Sequence, residues 1–235
     1  MKAPFVVGNR GEIGSFILQG LLRIMPKALD IFCSDINETK EEVEQRIKIS
    51  DVIFLCVPMQ MTINWLLQHK RLLKHKIIIE QCSLKEWIYE DNRISDLNIK
   101  SMHILFRPSQ TPNLEDRKVG FINGQMNAKM TNKIADIVQS NIVWYQDVIH
   151  HDKEMAVQQA LLHRSLLILG SMLEECHGST YISKKVLELN DRIKRGNKDL
   201  YNLIQKNKYL PEKIKELNKK FKEFDINKHL KQGNE

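Results

Sequence analysis

The sequence predicts an α/β fold: a doubly wound parallel sheet, followed by an all-α C-terminal domain. Three observations carry that expectation. Short, unbroken apolar runs rich in β-branched residues recur through the first half, helix-patterned segments lie between them, and after about residue 148 the strand-like runs stop. An unbroken apolar run of strand length is buried on both faces, and parallel strands need helical crossovers to connect them.

The first run is "PFVV" (4–7). It enters the glycine cluster of "FVVGNRGEIGS", which opens a helix, "GSFILQGLLRIM" (14–25), with apolar residues at helical spacing. Further strands follow at "LDIFCSD" (29–35), "DVIFLCVP" (51–58), "KIIIEQ" (76–81), "SMHILF" (101–106), "VGFIN" (119–123) and "NIVWY" (141–145). Before the last of these, "NAKMTNKIADIVQSN" (127–141) puts Met130, Ile134, Ile137 and Val138 on one helical face. The stretch "HDKEMAVQQALLHRSLLILGSMLEECHG" (151–178) then reads as one long helix stopped by Gly178, with helix or loop beyond it. A boundary near 147–150 follows, dividing the chain into an α/β domain, 1–148, and a helical domain, 149–235. The chain shows no internal repeat.

Composition narrows the function classes. The chain has 235 residues, 42% hydrophobic and 28% charged, which predicts order nearly throughout. No apolar run approaches the roughly 20 residues that span a bilayer. The N-terminus lacks a signal-peptide pattern, so the expectation is a cytoplasmic protein with no membrane partner. Cys33, Cys56, Cys82 and Cys176 are scattered and form no C-x-x-C pair, which reads as reduced thiols. The net charge of +7 is spread among interleaved acids, as in "EKIKELNKKFKEF" (212–224), without a nucleic-acid motif. It suits a small anionic ligand, whose encounter rate a positive protein raises.

Gly8, Gly11 and Gly14 are spaced G-x-x-G-x-x-G, not the usual G-x-G-x-x-G. Their context is nevertheless that of a dinucleotide site: a strand precedes them, a helix follows, and the next strand ends in Asp35, a carboxylate placed for a ribose diol. Helix N-termini favour a pyrophosphate through free N–H groups and the helix dipole. The loop residues Gly8, Asn9, Arg10, Gly11, Ile13 and Gly14, with Asp35, are the candidate cofactor contacts. Val57 and Pro58, at the end of a later strand, join them, because ligands sit beyond the carboxyl ends of such sheets. Asp35 would repel a 2'-phosphate, and no arginine follows it in "SDINETKEE", so NAD is expected rather than NADP.

Six motifs in order, "VVGNRGEIGS", "SDVIFLCVPMQMT", "EQCSLKEW", "MHILFRP", "HDKEMAVQQALLH" and "RIKRGNKDLYNLI", make the chain resemble the prephenate/arogenate dehydrogenases of tyrosine biosynthesis. The resemblance implies a Rossmann-type domain, an oxidative decarboxylation of prephenate coupled to NAD reduction, and a homodimer built through the helical domain. It gives Ser83 a place near the nicotinamide and the substrate hydroxyl, and makes His103 the catalytic histidine. His163, Gln159 and Arg192 become substrate contacts, with Arg192 gripping a carboxylate. Where the family has H-P-x-F-G-P, this chain has His103-Ile104-Leu105-Phe106-Arg107-Pro108. Arg107 therefore either adds an anion contact to the substrate site or narrows it.

Read on their own, the same residues have plainer roles. Ser83 with Glu86 matches the S-x-x-E capping box, His163 is a packed histidine in an apolar helix, and Arg192 is a helix-surface residue. His150 and His151 are adjacent and point in different directions on a helix, so no metal site is read there. The alternatives to prephenate oxidation are arogenate or a related anionic hydroxy acid as substrate, or a dinucleotide-binding protein without turnover.

Overall fold

A computed structural model describes residues 1, 3–25, 32–35 and 38–225. The chain divides into two compact units, Met1–His151 and Asp152–Glu235.

The first unit holds a seven-stranded sheet: β1 (Pro4–Val7), β2 (Phe32–Ser34), β3 (Val52–Leu55), β4 (Ile77–Glu80), β5 (Ile99–Ile104), β6 (Lys118–Ile122) and β7 (Asn141–Tyr145). Its spatial order is β2-β1-β3-β4-β5-β6-β7. Neighbours run parallel except β5 and β6, whose register His103↔Gly120 is antiparallel. That reversal is a departure from the all-parallel expectation. β1 and β3 are buried along their whole length, as their unbroken apolar sequences require. The strand expected over 29–35 lies partly outside the described residues.

The crossovers are α1 (Glu12–Ile24), α2 (Lys40–Ile49), α3 (Met59–Leu73), the single-turn α4 (Glu86–Tyr89) and α5 (Ala128–Ile137). Ile17 and Leu21 of α1 and Ile134 and Ile137 of α5 bury one face of the sheet together with Val6, Phe54, Ile79 and Met102. The two helices approach so closely that a Cβ on Gly20 would stand 2.1 Å from the Ile137 carbonyl oxygen. Arg23 reaches across from α1 and donates to the carbonyls of Asp136 and Ile137 (2.8 and 3.0 Å), supplying partners that a helix C-terminus otherwise lacks. α2 opens with a capping box in which the Thr39 hydroxyl and Glu42 exchange hydrogen bonds.

The second unit is helical. α6 (Val148–Met155) begins in the first unit and runs through a π-helical stretch, Ala156–Leu161, into α7 (Leu162–Glu174). The long helix expected from the sequence is therefore interrupted by a π segment and ends before Gly178. α8 (Tyr181–Lys194) packs back on α7, and Gly170 gives room for Asn190, which lies so near that a Cβ would overlap its side chain. α9 (Lys198–Ile204) and α10 (Leu210–Glu223) close a small core in which Ile204 and Leu210 pack with Ala160. Gln205 donates to the Ala160 carbonyl (2.8 Å) and accepts from Arg164 (2.8 Å), satisfying backbone within the π segment. Among the described residues no helix is long and apolar enough to cross a membrane.

Candidate functional site

The glycine loop follows β1 directly. Gly8 has φ +82, and a Cβ there would stand 2.5 Å from the Cys56 carbonyl oxygen, while one on Gly14 would stand 2.2 Å from the Gly8 carbonyl oxygen. Both positions therefore require glycine, one for its backbone angle and both for space. The loop is pinned by Gly8 N–H donating to the Ser34 carbonyl (2.8 Å) and by Arg10 N–H donating to the Asp35 carboxylate (2.9 Å). Asp35 thus stands beside the loop, as the spacing predicts. Gly11 is the N-cap of α1 and has no side-chain cap, leaving the helix mouth to backbone groups. These features fit a dinucleotide, and Val57 and Pro58, at the carboxyl end of β3, lie on the same edge of the sheet.

Glu12, in the first turn of α1, accepts from Arg107 Nε (2.9 Å) and from the Ser109 N–H (2.9 Å) and hydroxyl (2.6 Å). These partners hold its carboxyl below the usual range even though partial burial opposes them. Arg107 was expected either to add an anion contact to a substrate site or to narrow it. In the structure its guanidinium has an acidic partner, Glu12, at the glycine-loop helix.

At the end of β4 lies a buried charged cluster that the sequence did not reveal. Lys85 and Glu80, 1% and 0% exposed, form an ion pair (2.7 Å). Lys85 also donates to the Met102 carbonyl (2.8 Å), and Glu80 accepts from the Cys82 N–H (2.6 Å) and the Ser101 hydroxyl. Such a pair offsets its own desolvation only through this density of hydrogen bonds. The hydroxyl of Tyr89 joins Ser101 and Gln125 at its edge, and burial pushes that phenol upward. α4 starts at Glu86 with Lys85 as N-cap and no side-chain cap. The capping-box role expected for Ser83 is therefore absent, because tertiary pairing draws Lys85 inward at that position. Ser83 is half-buried in the turn after β4. Gln81, also in this turn, has both carboxamide atoms buried without a hydrogen-bond partner. That orphaned amide lies where a doubly wound sheet binds its ligand.

His103 sits near the carboxyl end of β5, buried, with its Nδ1 2.9 Å from Nε2 of His151. The His151 ring meets Tyr145 of β7 edge-on, with centroids 4.7 Å apart. Burial, then the second imidazole, then the Lys85 ammonium push His103 well below the usual histidine range. His151 is lowered as well, by burial first and by Lys85 and His150 after it. Two neutral imidazoles are thus held in contact. The role of His151 was missed because only its adjacency to His150 was weighed, and nothing in that pattern indicates a partner from another strand.

In the second unit, His163 on α7 packs edge-on against Tyr201 of α9, centroids 5.0 Å apart. Its Nδ1 has no partner, and burial lowers its pKa. Gln159 is half-buried in the π segment, a geometry common at functional sites. Arg192 is exposed in the last turn of α8.

No protein-family profile and no curated protein sequence matches the chain. Solved structures do. A provisionally assigned prephenate dehydrogenase from Corynebacterium glutamicum superposes with a TM-score of 0.74 at 16% identity, over 95% of this chain and 80% of that one. Prephenate dehydrogenase from Aquifex aeolicus gives 0.67 at 18% identity, over 93% and 90%. Arogenate dehydrogenase from Synechocystis gives 0.61 at 16% identity, over 94% and 90%. The chain therefore has the fold of the prephenate and arogenate dehydrogenase structures, a Rossmann-type sheet followed by a helical domain.

Proposed function

We propose that the chain is a member of the prephenate/arogenate dehydrogenase family and oxidises prephenate with NAD. The observation that carries this reading is the buried His103 near the carboxyl end of β5, in a sheet where the glycine loop follows β1 and Asp35 follows β2. The fold shared with three such dehydrogenases supports it.

Prephenate has a C4 hydroxyl, a ring carboxylate and a pyruvyl side chain, so oxidation at C4 couples to loss of CO2 and aromatisation. The reaction needs an acceptor for the hydroxyl proton, and a histidine held neutral is one at any pH near 7. Bound NAD+ supplies the hydride acceptor. Its pyrophosphate belongs at the Gly8–Gly14 loop with Asn9, Arg10 and Ile13, and its adenosine ribose at Asp35. Ser83 and the unpaired Gln81 amide lie at the end of a neighbouring strand, where they orient the reacting groups. Arg192 supplies a permanently charged, bidentate anchor for a carboxylate, with His163 and Gln159 as further substrate contacts. A homodimer forms through the helical unit.

The test is NADH formation on prephenate and on arogenate, with NADP+ compared as cofactor. Turnover of prephenate with NAD+ supports the reading. Preference for arogenate corrects the substrate, and NADP+ preference removes the role given to Asp35. NAD+ binding with no turnover of either acid favours a silent dinucleotide-binding protein.

A further inference from the structure

We infer that Arg107 and Ser109 set the affinity of the dinucleotide site indirectly: they hold Glu12, an anion of the chain itself, off the helix N–H groups that take the pyrophosphate. The inference rests on the dinucleotide-binding part of the reading above and concerns residues which that reading leaves unused.

Glu12 is the first residue of α1, directly after Gly11, which caps the helix with no side chain. The first N–H groups of a helix lack intrahelical partners, and together with the helix dipole they attract an anion within reach. A carboxylate at this position is therefore a competitor for a pyrophosphate at the same helix end. In the structure its bonds run to the segment after β5 instead of back to its own helix: Glu12 accepts from Arg107 Nε (2.9 Å) and from the Ser109 N–H (2.9 Å) and hydroxyl (2.6 Å). Partial burial raises the Glu12 pKa, yet the Ser109 and Arg107 bonds together outweigh it and leave the group below the usual carboxylate range. The charge is thus present near pH 7, and the Arg107 guanidinium offsets it at contact distance. With side chains 56% and 33% exposed, the Arg107–Glu12 pair contributes little to folding. The segment also has a separate anchor. Phe106 meets Phe16 of α1 edge-on, centroids 5.7 Å apart, and the Arg117 guanidinium lies over both rings at 5.5 and 5.6 Å. Seating the segment on α1 does not depend on Glu12, so its three bonds chiefly fix where the carboxylate lies.

The test is calorimetric binding of NAD+ and of inorganic pyrophosphate to the full-length protein near neutral pH. An Arg107→Ala, Ser109→Ala double variant removes the positive charge and two of the three bonds, and is expected to raise the Kd for both ligands about 5- to 20-fold, the scale of one charge at a helix N-terminus. Adding Glu12→Gln to that variant is expected to return both Kd values to within about threefold of wild type. That rescue separates a competing anion from a structural brace, since a brace is not restored by deleting its other half. Unchanged affinity in the double variant overturns the inference. So does a loss that Glu12→Gln leaves in place, which would mean that Arg107 touches the phosphates itself or only seats the segment. Wild-type protein that binds pyrophosphate but not NAD+ defeats the dinucleotide reading, and the variants still decide this inference on pyrophosphate. Wild-type protein that binds neither defeats both.

Discussion

The two units treat their side chains in opposite ways. The first buries ionisable groups: Lys85, Glu80, His103 and His151 all lie inside, each bonded to a neighbour. The second leaves large apolar groups in the open, with Ile182 74% and Met172 60% exposed. Buried polar groups tolerate little disturbance, since loss of one partner leaves the other unsatisfied in a medium that cannot solvate it. Exposed apolar groups of this kind are what the homodimer proposed above would cover.

The sharpest way to break the contrast is Lys85→Met. It leaves Glu80 buried without its counter-charge, and unfolding by denaturant should show a loss of about 3–5 kcal/mol. A Lys85→Met, Glu80→Gln double variant should recover part of it, and equal stability of the single variant and wild type would mean the ion pair is dispensable. Arg192→Ala should raise the KM for the substrate by about 2–4 kcal/mol while leaving the KM for NAD+ alone, provided the exposed guanidinium becomes desolvated on binding. Equal effects on both ligands would remove it from the substrate site. His103→Asn should lower kcat by roughly 10²-fold or more, about 2.7 kcal/mol, with little change in NAD+ affinity. Near-normal turnover would move the base elsewhere, with His163 next to be tested.

The smallest effect should come from the second unit's surface. Ile182→Glu should change monomer stability by no more than about 0.5 kcal/mol, yet shift the sedimentation of any dimer toward monomer. An unchanged assembly would take that face out of the interface.

Acid acts on the buried histidines. In the first, His103 and His151 have folded pKa values below their unfolded ones, so the unfolded chain binds the extra protons. Their contribution to stability is complete above the unfolded value of about 6.5 and declines as pH falls below it. Thermal unfolding followed from pH 7.5 to 5 should show that decline, and a His103→Asn, His151→Gln double variant should show less of it.

Much of the glycine-loop edge of the sheet was legible in the sequence. Gly8, Gly14 and Asp35 act through backbone sterics and short-range spacing, which a linear string records: a strand, a tight turn, a helix and an acid at the end of the next strand. Unbroken apolar runs likewise announced strands buried on both faces, and His103 was marked by its place at the end of one. The interruption of the long helix by a π segment was not legible, because its backbone is satisfied partly by Gln205, which arrives from more distant chain.

By itself, then, the sequence determined the alternation of strands and helices, the glycine turn and the acid beside it, since periodicity and local sterics depend on near neighbours alone. Only the tertiary structure decided that β6 runs against β5, that Arg107 pairs with Glu12, that Lys85 turns inward to Glu80 instead of leaving Ser83 to cap a helix, and that His151 meets His103. Each of these joins groups from different elements. The physical reason is that a buried donor, acceptor or charge must find a partner wherever folding brings one, and sequence spacing carries no record of that meeting.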